Sequence, residues 1–275
     1  MQSEQFQLHA DIEQRHWWFV GRREIMRGLA REVLPPAPGA TVIDVGCGTG
    51  GNIASLADDY RAIGIDTSAE AVQWARARFP KVHFLQGRAP GDLGPLLAQA
   101  RLVLLMDVLE HVSDDFTLLS ELLAAADPGT HFLLTVPADP ALWSVHDESF
   151  GHYRRYDRAR LEMVWAGLPV STRLVSYFNA RLLPVVRLVR WRNRRRGQAA
   201  GRVGTDFWLP SRPVNALLQA ILAGEARRLL QTLHGRRRQG YSAGSSLIAI
   251  LRREEGPIAV RQKPARLPPD RRVDL

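Results

Sequence analysis

The chain is poor in cysteine and in lysine. Cys47 is the single cysteine among 275 residues, which excludes an internal disulfide and a cysteine-based zinc site. Its place between two glycines points to a requirement for small size, and no neighbouring histidine supports a catalytic thiol. Lys81 and Lys263 are the only lysines. No apolar run approaches the roughly 18–20 residues of a membrane span. The segment Met1 to Asp11 lacks the apolar stretch of a secretory signal, so a cytosolic location is expected. No internal repeat is visible.

Hydrophobic residues make up 45% of the chain, enough to bury a full core. The length suits one large α/β domain, or one with an insertion. The formal net charge is +9, nearly all of its positive part arginine. Arginine excess can follow from nucleotide composition alone, so its distribution says more. Much of it falls after residue 150, in Arg154-Arg155, Arg187 to Arg196, Arg236 to Arg238 and the tail. That placement suits an anionic partner: a lipid surface, a phosphorylated acceptor or a nucleic acid.

Residues 3–34 read as two helical segments with the aromatic cluster Arg15-His16-Trp17-Trp18-Phe19 between them. Pro35-Pro36-Ala37-Pro38 then breaks the chain. A strand–helix rhythm follows. Strands are expected at 41–45, 61–65, 82–85, 102–106 and 131–136, and helices at 50–58, 68–79 and 115–126, with Ser68 as an N-cap. The alternation predicts a parallel sheet with right-handed crossovers. Strands at 171–178 and 245–251 flank a helical insertion of about 179–243. In it, 179–191 is expected to kink at Pro184, 193–205 to form a loop, and 211–233 to be one helix. The expected division is an N-terminal helical cap (1–38), the α/β domain (39–253) and a proline-rich tail (254–275) expected to be disordered.

The first strand ends in Asp44, followed by Gly46, Gly48, Gly50 and Gly51. Glycines serve where the backbone turns sharply and must approach a ligand, and a strand-to-helix loop aims N–H groups at it. Gly46, Gly48 and Gly51 satisfy a dinucleotide-type spacing. Asp44 argues against a nicotinamide dinucleotide, because a carboxylate there repels a pyrophosphate and suits a cationic ligand. Asp66, at the end of the second strand, can accept from both hydroxyls of a ribose.

In this combination the segment Asp44-x-Gly46-x-Gly48-x-Gly50 resembles the first signature motif of class I methyltransferases dependent on S-adenosylmethionine (SAM). Ile65-Asp66 resembles their ribose-binding position. Met106-Asp107-Val108-Leu109-Glu110-His111-Val112 resembles the segment after strand four in O-methyltransferases of ubiquinone biosynthesis. The resemblance covers roughly residues 12–180. It implies an α/β, Rossmann-like seven-stranded sheet, mostly parallel with an antiparallel last strand. It implies SAM as cofactor, with Asp44, Gly46, Cys47, Gly48, Asp66, Thr67, Arg88, Ala89, Met106 and Asp107 around it. The family usually places an acidic residue after strand three to receive the adenine amino group. Here Arg88 stands there, leaving the backbone of Arg88 and Ala89, or Asp92, to make that contact.

The long loop after strand five lies where open α/β sheets bind ligands. Its Leu142-Trp143-Ser144-Val145-His146-Asp147 and His152-Tyr153-Arg154-Arg155-Tyr156 resemble a bacterial methyltransferase subgroup, which also shares the aromatic segment from His16 to Arg23. Methyl transfer requires positioning of the acceptor, and a hydroxyl acceptor also needs a base. His111, His146 and His152 are the candidates, each with a structural hydrogen-bonding role as the alternative. Trp143, Arg154, Arg155 and Tyr156 are expected to contact the acceptor. The two arginines either clamp an anionic group or pair with Asp147, Glu148 or Asp157. Asp107, Glu110 and His111 suggest part of a divalent-metal shell, but a capping and pocket-lining role is the preferred reading and no metal is expected. Trp17, Trp18 and Phe19 form either a lid or core packing.

In the insertion, apolar residues from Leu182 to Trp191 alternate with arginines. This suits either a peripheral helix on the anionic inner face of a membrane or a cover over the site with solvated arginines. The leading expectation is methyl transfer to an oxygen of a small-molecule or lipid-linked acceptor. A non-catalytic SAM-binding scaffold, an RNA or protein methyltransferase and a nicotinamide oxidoreductase are the competing classes. Nucleic acid is disfavoured, since no RNA-binding signature and no Asn/Asp-Pro-Pro-Tyr-like segment is present. Oligomeric state stays open.

Overall fold

The computed structural model describes residues 3–196, 206–267 and 270–271. Seven strands form one sheet: β1 (Thr41–Val45), β2 (Arg61–Asp66), β3 (His83–Gln86), β4 (Ala100–Met106), β5 (His131–Pro137), β6 (Val170–Phe178) and β7 (Ser246–Arg253). Their order is β3-β2-β1-β4-β5-β7-β6. β1 to β5 pair in parallel. β7 is antiparallel to both β5 and β6. The expected mostly parallel sheet with an antiparallel last strand is the one observed.

The central strands are buried on both faces, which explains their continuous apolar sequence. Ile43, Val103 and Leu134 face one core layer, and Val42, Leu104 and Leu133 face the other. After β3 the chain crosses to the far side of β1. The carboxyl ends of β1 and β4 therefore diverge and open a crevice at the topological switch point. The glycine segment and Met106-Asp107 both lie there.

Several expected elements differ in extent. Ser68 does cap the helix Ala69–Arg78, accepting from the Ala71 N–H at 3.2 Å. The helix after the glycine segment is confined to Gly51–Ala54, with turns beyond it. Pro184 does not kink a helix. It is the second residue of Leu183–Arg196, where its missing N–H costs no hydrogen bond. The loop expected from Asn193 is helical as far as Arg196, and residues 197–205 of it lie outside the described residues. The stretch 211–233 is two helices, Arg212–Ala223 and Ala226–Leu233, because buried Glu225 turns back to accept from the N–H groups of Ala180 and Arg181 at 2.9 and 2.8 Å.

The tail is also anchored where disorder was expected. Ile258 and Leu267 pack on the core. The Arg261 N–H donates to Ser120 Oγ, and the Lys263 N–H to Asp114. Asp270 pairs with Arg154 and Lys263. Proline and charge in this segment serve an extended chain laid over a surface, with its backbone donors taken up by side chains.

The N-terminal helix Ser3–Ile12 packs beside Ala69–Arg78, and Trp17–Val33 packs with the insertion helices against one face of the sheet. Leu222 of the insertion is fully buried against Gly21, and a Cβ at Gly21 would lie 3.1 Å from Leu222 Cδ2. Leu222→Ala is expected to cost about 2–5 kcal/mol in urea unfolding through the cavity it leaves. Leu217→Ala, at a side chain 60% exposed, should stay within about 0.5 kcal/mol.

Candidate active site

The loop from β1 is shaped by its glycines. Gly46 has φ of +70°, and a Cβ there would meet Val108 Cγ2 at 2.9 Å. Gly48, at φ +53°, has nothing within 4 Å of its Cβ position and opens on a cavity. Its N–H donates to Asp66 Oδ2 at 2.8 Å, while Asp66 Oδ1 accepts from the Ser68 N–H at 2.9 Å. Asp66 thereby ties the end of β2 to the glycine turn, with exposed Thr67 beside it. Cys47 is buried, and burial pushes its thiol well above the ordinary range. A protonated packing residue results, as its small size suggested.

Asp44 is buried, and neither of its carboxyl oxygens has a hydrogen-bond partner. Burial, with a contribution from the Asp66 charge, raises its pKa to about 8, against the opposing pull of Arg22. An unpartnered buried carboxylate beside a glycine turn fits a cationic ligand group.

The cavity above this loop has a volume of about 350 Å³. Met106, Asp107, Glu110 and His111 enter it from the end of β4, and His146, Phe150, His152 and Arg155 from the loop after β5. Asp107 adopts φ of +61°, accepts from Thr135 Oγ1 at 2.9 Å and pairs with the Arg22 guanidinium. The N-terminal helices supply His9, Glu13, His16, Trp17, Trp18 and Arg22 to the wall. Glu13 accepts from Thr49 Oγ1 at 3.0 Å and pairs with Arg78, which clamps the first helix onto the glycine loop. The aromatic cluster thus lines the cavity and also packs on the core.

The three candidate histidines converge. The rings of His111 and His152 are 4.6 Å apart between centroids, and those of His146 and His152 6.4 Å. Burial, with His152 nearby, lowers His111 well below the ordinary imidazole range. Burial, with Arg190 nearby, does the same to His146. Burial also lowers His9 to about 3 and His16 to about 4. These four line the wall as neutral rings at pH 7. His146 Nδ1 accepts from the Asp206 N–H at 3.0 Å. His152 Nδ1 donates to Asp147 Oδ1 at 3.1 Å, leaving Nε2 with its lone pair.

Asp147 is fully buried. Burial pushes its carboxyl up, but Arg155, His152 and Arg190 outweigh it and hold the group well below the carboxylate range. Arg155 Nε donates to Oδ1 at 2.8 Å and Arg190 Nη1 to Oδ2 at 2.9 Å. The Ser144 N–H also donates to Oδ2, at 2.9 Å, completing the cap of the helix Val145–Ser149. Of the two readings of Arg155, pairing with Asp147 is the one observed.

Three expected acceptor contacts are corrected. Arg154 does not reach the cavity. It forms a bidentate pair with Asp270, both bonds at 2.7 Å, and donates to the carbonyls of Leu109, Val112 and Ser113. Tyr156 is fully buried and donates to Asp115 Oδ2 at 2.8 Å. Trp143 is buried away from the cavity, and its Nε1 donates to Glu148 Oε1 at 3.1 Å. Arg88 and Ala89 line a separate shallow depression, where Asp92 Oδ2 accepts from the Arg88 N–H at 2.7 Å. Among the described residues, the acidic and histidine ligand atoms close enough to share a metal ion are those of Glu110, His111 and His152, within 4.8 Å of one another. Asp107 is engaged by Arg22 instead.

His9, Glu13, Arg22 and Arg190 were missed by sequence reasoning. Arg22 lies one helical turn after Trp18 and its guanidinium sits over that ring, a same-face spacing that was readable. Nothing local distinguishes Arg190 from the arginines around it.

With the fold and the cavity in view, comparison with known proteins identifies the class: the chain belongs to the methyltransferase-domain family, whose model matches residues 15–184. It is 34% identical over 116 residues to the trans-aconitate 2-methyltransferase of Azoarcus sp. (strain BH72), a match covering 39% of this chain and 44% of that protein. The counterpart in Deinococcus radiodurans is 31% identical over 131 residues, 46% of this chain and 49% of the relative. The chain thus spans about half the length of the curated relatives it matches. Among solved structures, the plantazolicin methyltransferase BpumL, in complex with a monoazolic desmethylPZN analog and SAH, superposes with a TM-score of 0.54. That match has 14% identity and covers 92% of this chain and 90% of the other. The YcgJ protein of Bacillus subtilis gives 0.51 at 16% identity, over 86% of this chain and all of the other. These structures share the fold.

If Arg154 holds the tail rather than a substrate, Arg154→Met should lower the thermal midpoint by several degrees. Cofactor-product affinity, measured by calorimetry, should change less than about twofold.

Proposed function

We propose that the chain transfers a methyl group from SAM to an oxygen of a small-molecule or lipid-linked acceptor. The observation that carries this reading is one cavity holding both requirements. The glycine turn, followed on from unpartnered Asp44, lies on one side of it, and an oriented histidine on the other. SAM supplies the electrophilic methyl when bound.

Asp44, Gly46, Cys47 and Gly48 would hold its methionine end, with Asp44 facing the ammonium. Asp66 and Thr67 would hold the ribose, since each Asp66 oxygen accepts one backbone bond and keeps a lone pair. Met106 and Asp107 border the same crevice. The backbone of Arg88 and Ala89 would read the adenine, an assignment that rests on the family resemblance.

His152 is the base this reading favours. Asp147 fixes its Nδ1–H, so Nε2 accepts a proton from an acceptor hydroxyl and the resulting imidazolium lies beside a carboxylate. His146 has its Nδ1 lone pair occupied, and burial makes His111 a weak base. Neutral rings on the remaining wall suit a neutral acceptor. The names of the curated relatives support a small-molecule acceptor.

Two measurements test the proposal. Titration with SAM or its demethylated product should show binding, and Asp66→Ala should lose most of it; a folded chain that binds neither is not a SAM enzyme. Asp44, with a value of about 8, is protonated at neutral pH and must ionise to pair with an ammonium. Binding should therefore release a proton and tighten between pH 6 and 7.5 by up to about tenfold per unit. Calorimetry in buffers of different ionisation enthalpy reads that proton, and Asp44→Asn should abolish it. Methyl transfer from labelled SAM to a lipid or glycan extract should fall by roughly 10²–10⁴ in His152→Gln, with product affinity retained. Unchanged transfer would remove His152 as the base.

A further inference from the structure

The cavity wall and an exposed apolar surface are continuous. Val185 on the helix Leu183–Arg196 and Trp208 before the helix Arg212–Ala223 both line the cavity, yet are 53% and 54% exposed. They form its rim. Outward from Val185, Leu188 and Trp191 follow at three-residue spacing and are more than half exposed; Val214 and Leu217 are exposed on the second helix. Inward, Leu182, Val186, Val189 and Leu218 line the cavity that also holds His111 and His152. Among the described residues, most of the exposed large apolar side chains belong to these two neighbouring segments. A soluble surface rarely gathers them without a partner.

The charge carried by this helix is arginine. From Arg181 to Arg196 the chain carries seven arginines and no acidic residue. Arg187, Arg192 and Arg195 are exposed, and the Arg195 guanidinium lies 4.0 Å from the Trp191 ring centroid. Asp206, the nearest acidic residue in the second segment, pairs with Arg190. Arg187 pairs with Asp139 at 3.1 Å, while exposed aliphatic side chains, tryptophans and the exposed Arg192 and Arg195 make the composition of an interfacial helix. No helix among the described residues is long and apolar enough to cross a membrane.

We propose that this face docks on an anionic lipid bilayer, and that an amphiphilic acceptor with an apolar tail enters the cavity between Val185 and Trp208. The substrate-class half of this inference rests on the methyl-transfer reading; the docking half does not. The bilayer is favoured over a second copy of the chain because a symmetric contact would set this arginine cluster against itself.

The test is co-sedimentation of the full chain with vesicles of phosphatidylcholine alone or with about one quarter phosphatidylglycerol, at low and physiological salt. The expected result is binding to the anionic vesicles, at least roughly tenfold weaker on the zwitterionic ones, and weakening with salt. The variant Leu188→Asp/Trp191→Asp, which alters no cavity-lining residue, should lose at least roughly tenfold in vesicle affinity. Its thermal midpoint and its affinity for the demethylated product should be unchanged. Absence of anionic-vesicle binding by a chain that still binds the product would overturn the docking proposal and leave the methyl-transfer reading standing. Equal binding by the variant, or self-association of the wild type that the variant abolishes in ultracentrifugation, would overturn it too. Loss of product binding in the wild type would instead reject the methyl-transfer reading.

Discussion

The buried carboxylate of Asp147 is the constraint on which the acceptor side depends. It closes the cap of its own short helix through Ser144, fixes the His152 ring, and receives Arg155 from the loop and Arg190 from the insertion. A charge so deep is tolerable only when fully paired, and removing one partner of such a group costs about 3–5 kcal/mol. The same pairing makes the insertion part of the site. Arg190, with Val186 and Val189 of the same helix, makes the arginine-rich helix a wall of the cavity. A histidine whose orientation depends on this group is held by segments more than forty residues apart in the chain.

A second set of ion pairs performs the equivalent task on the cofactor side. Arg22 meets Asp107, and Glu13 meets Thr49 and Arg78, so both N-terminal helices are fastened to the carboxyl ends of β1 and β4. The aromatic rings between these pairs exclude water, and burial lowers His9 and His16 among them. Asp44 and Glu110 are the buried carboxyl groups of this region whose oxygens have no hydrogen-bond partner, and burial raises both. An ammonium beside Asp44 would pair with its carboxylate, so binding there would be coupled to ionisation of this residue.

The legible parts of the molecule were those encoded within a few residues. β4 and β5 are nearly continuous apolar runs, and Gly46 and Gly48 take a left-handed backbone that side chains rarely adopt. The Arg154-Arg155 pair shows where such reading stops. Adjacent residues on an extended segment point to opposite sides. Arg155 enters the cavity, while Arg154 turns to Asp270, 116 residues away. Nothing local to the pair says which side holds the ligand. The same long-range pairing explains why a proline-rich tail, unpromising on composition, is bound down. Arg190 was hidden by its company: helical spacing shows that an arginine-rich helix has faces, but not which one meets a buried acid.

Charge is sorted by depth across the insertion. Arg190 is buried and neutralised, whereas Arg187 and Arg192 remain outside with the exposed apolar rim. Folding alone would favour covering that rim, because each exposed leucine or tryptophan forgoes transfer free energy that burial would supply. The N-terminal helices already cover the opposite wall with Trp17 and Trp18 and the insertion base with Leu222 against Gly21. Val185 and Trp208 stay exposed on the rim of the cavity that holds His152. An entrance lined this way excludes a strongly hydrated acceptor, which would shed its water against aliphatic walls without compensation. In the proposed docking it would admit a molecule whose polar head meets the histidines and whose tail stays on the apolar slope.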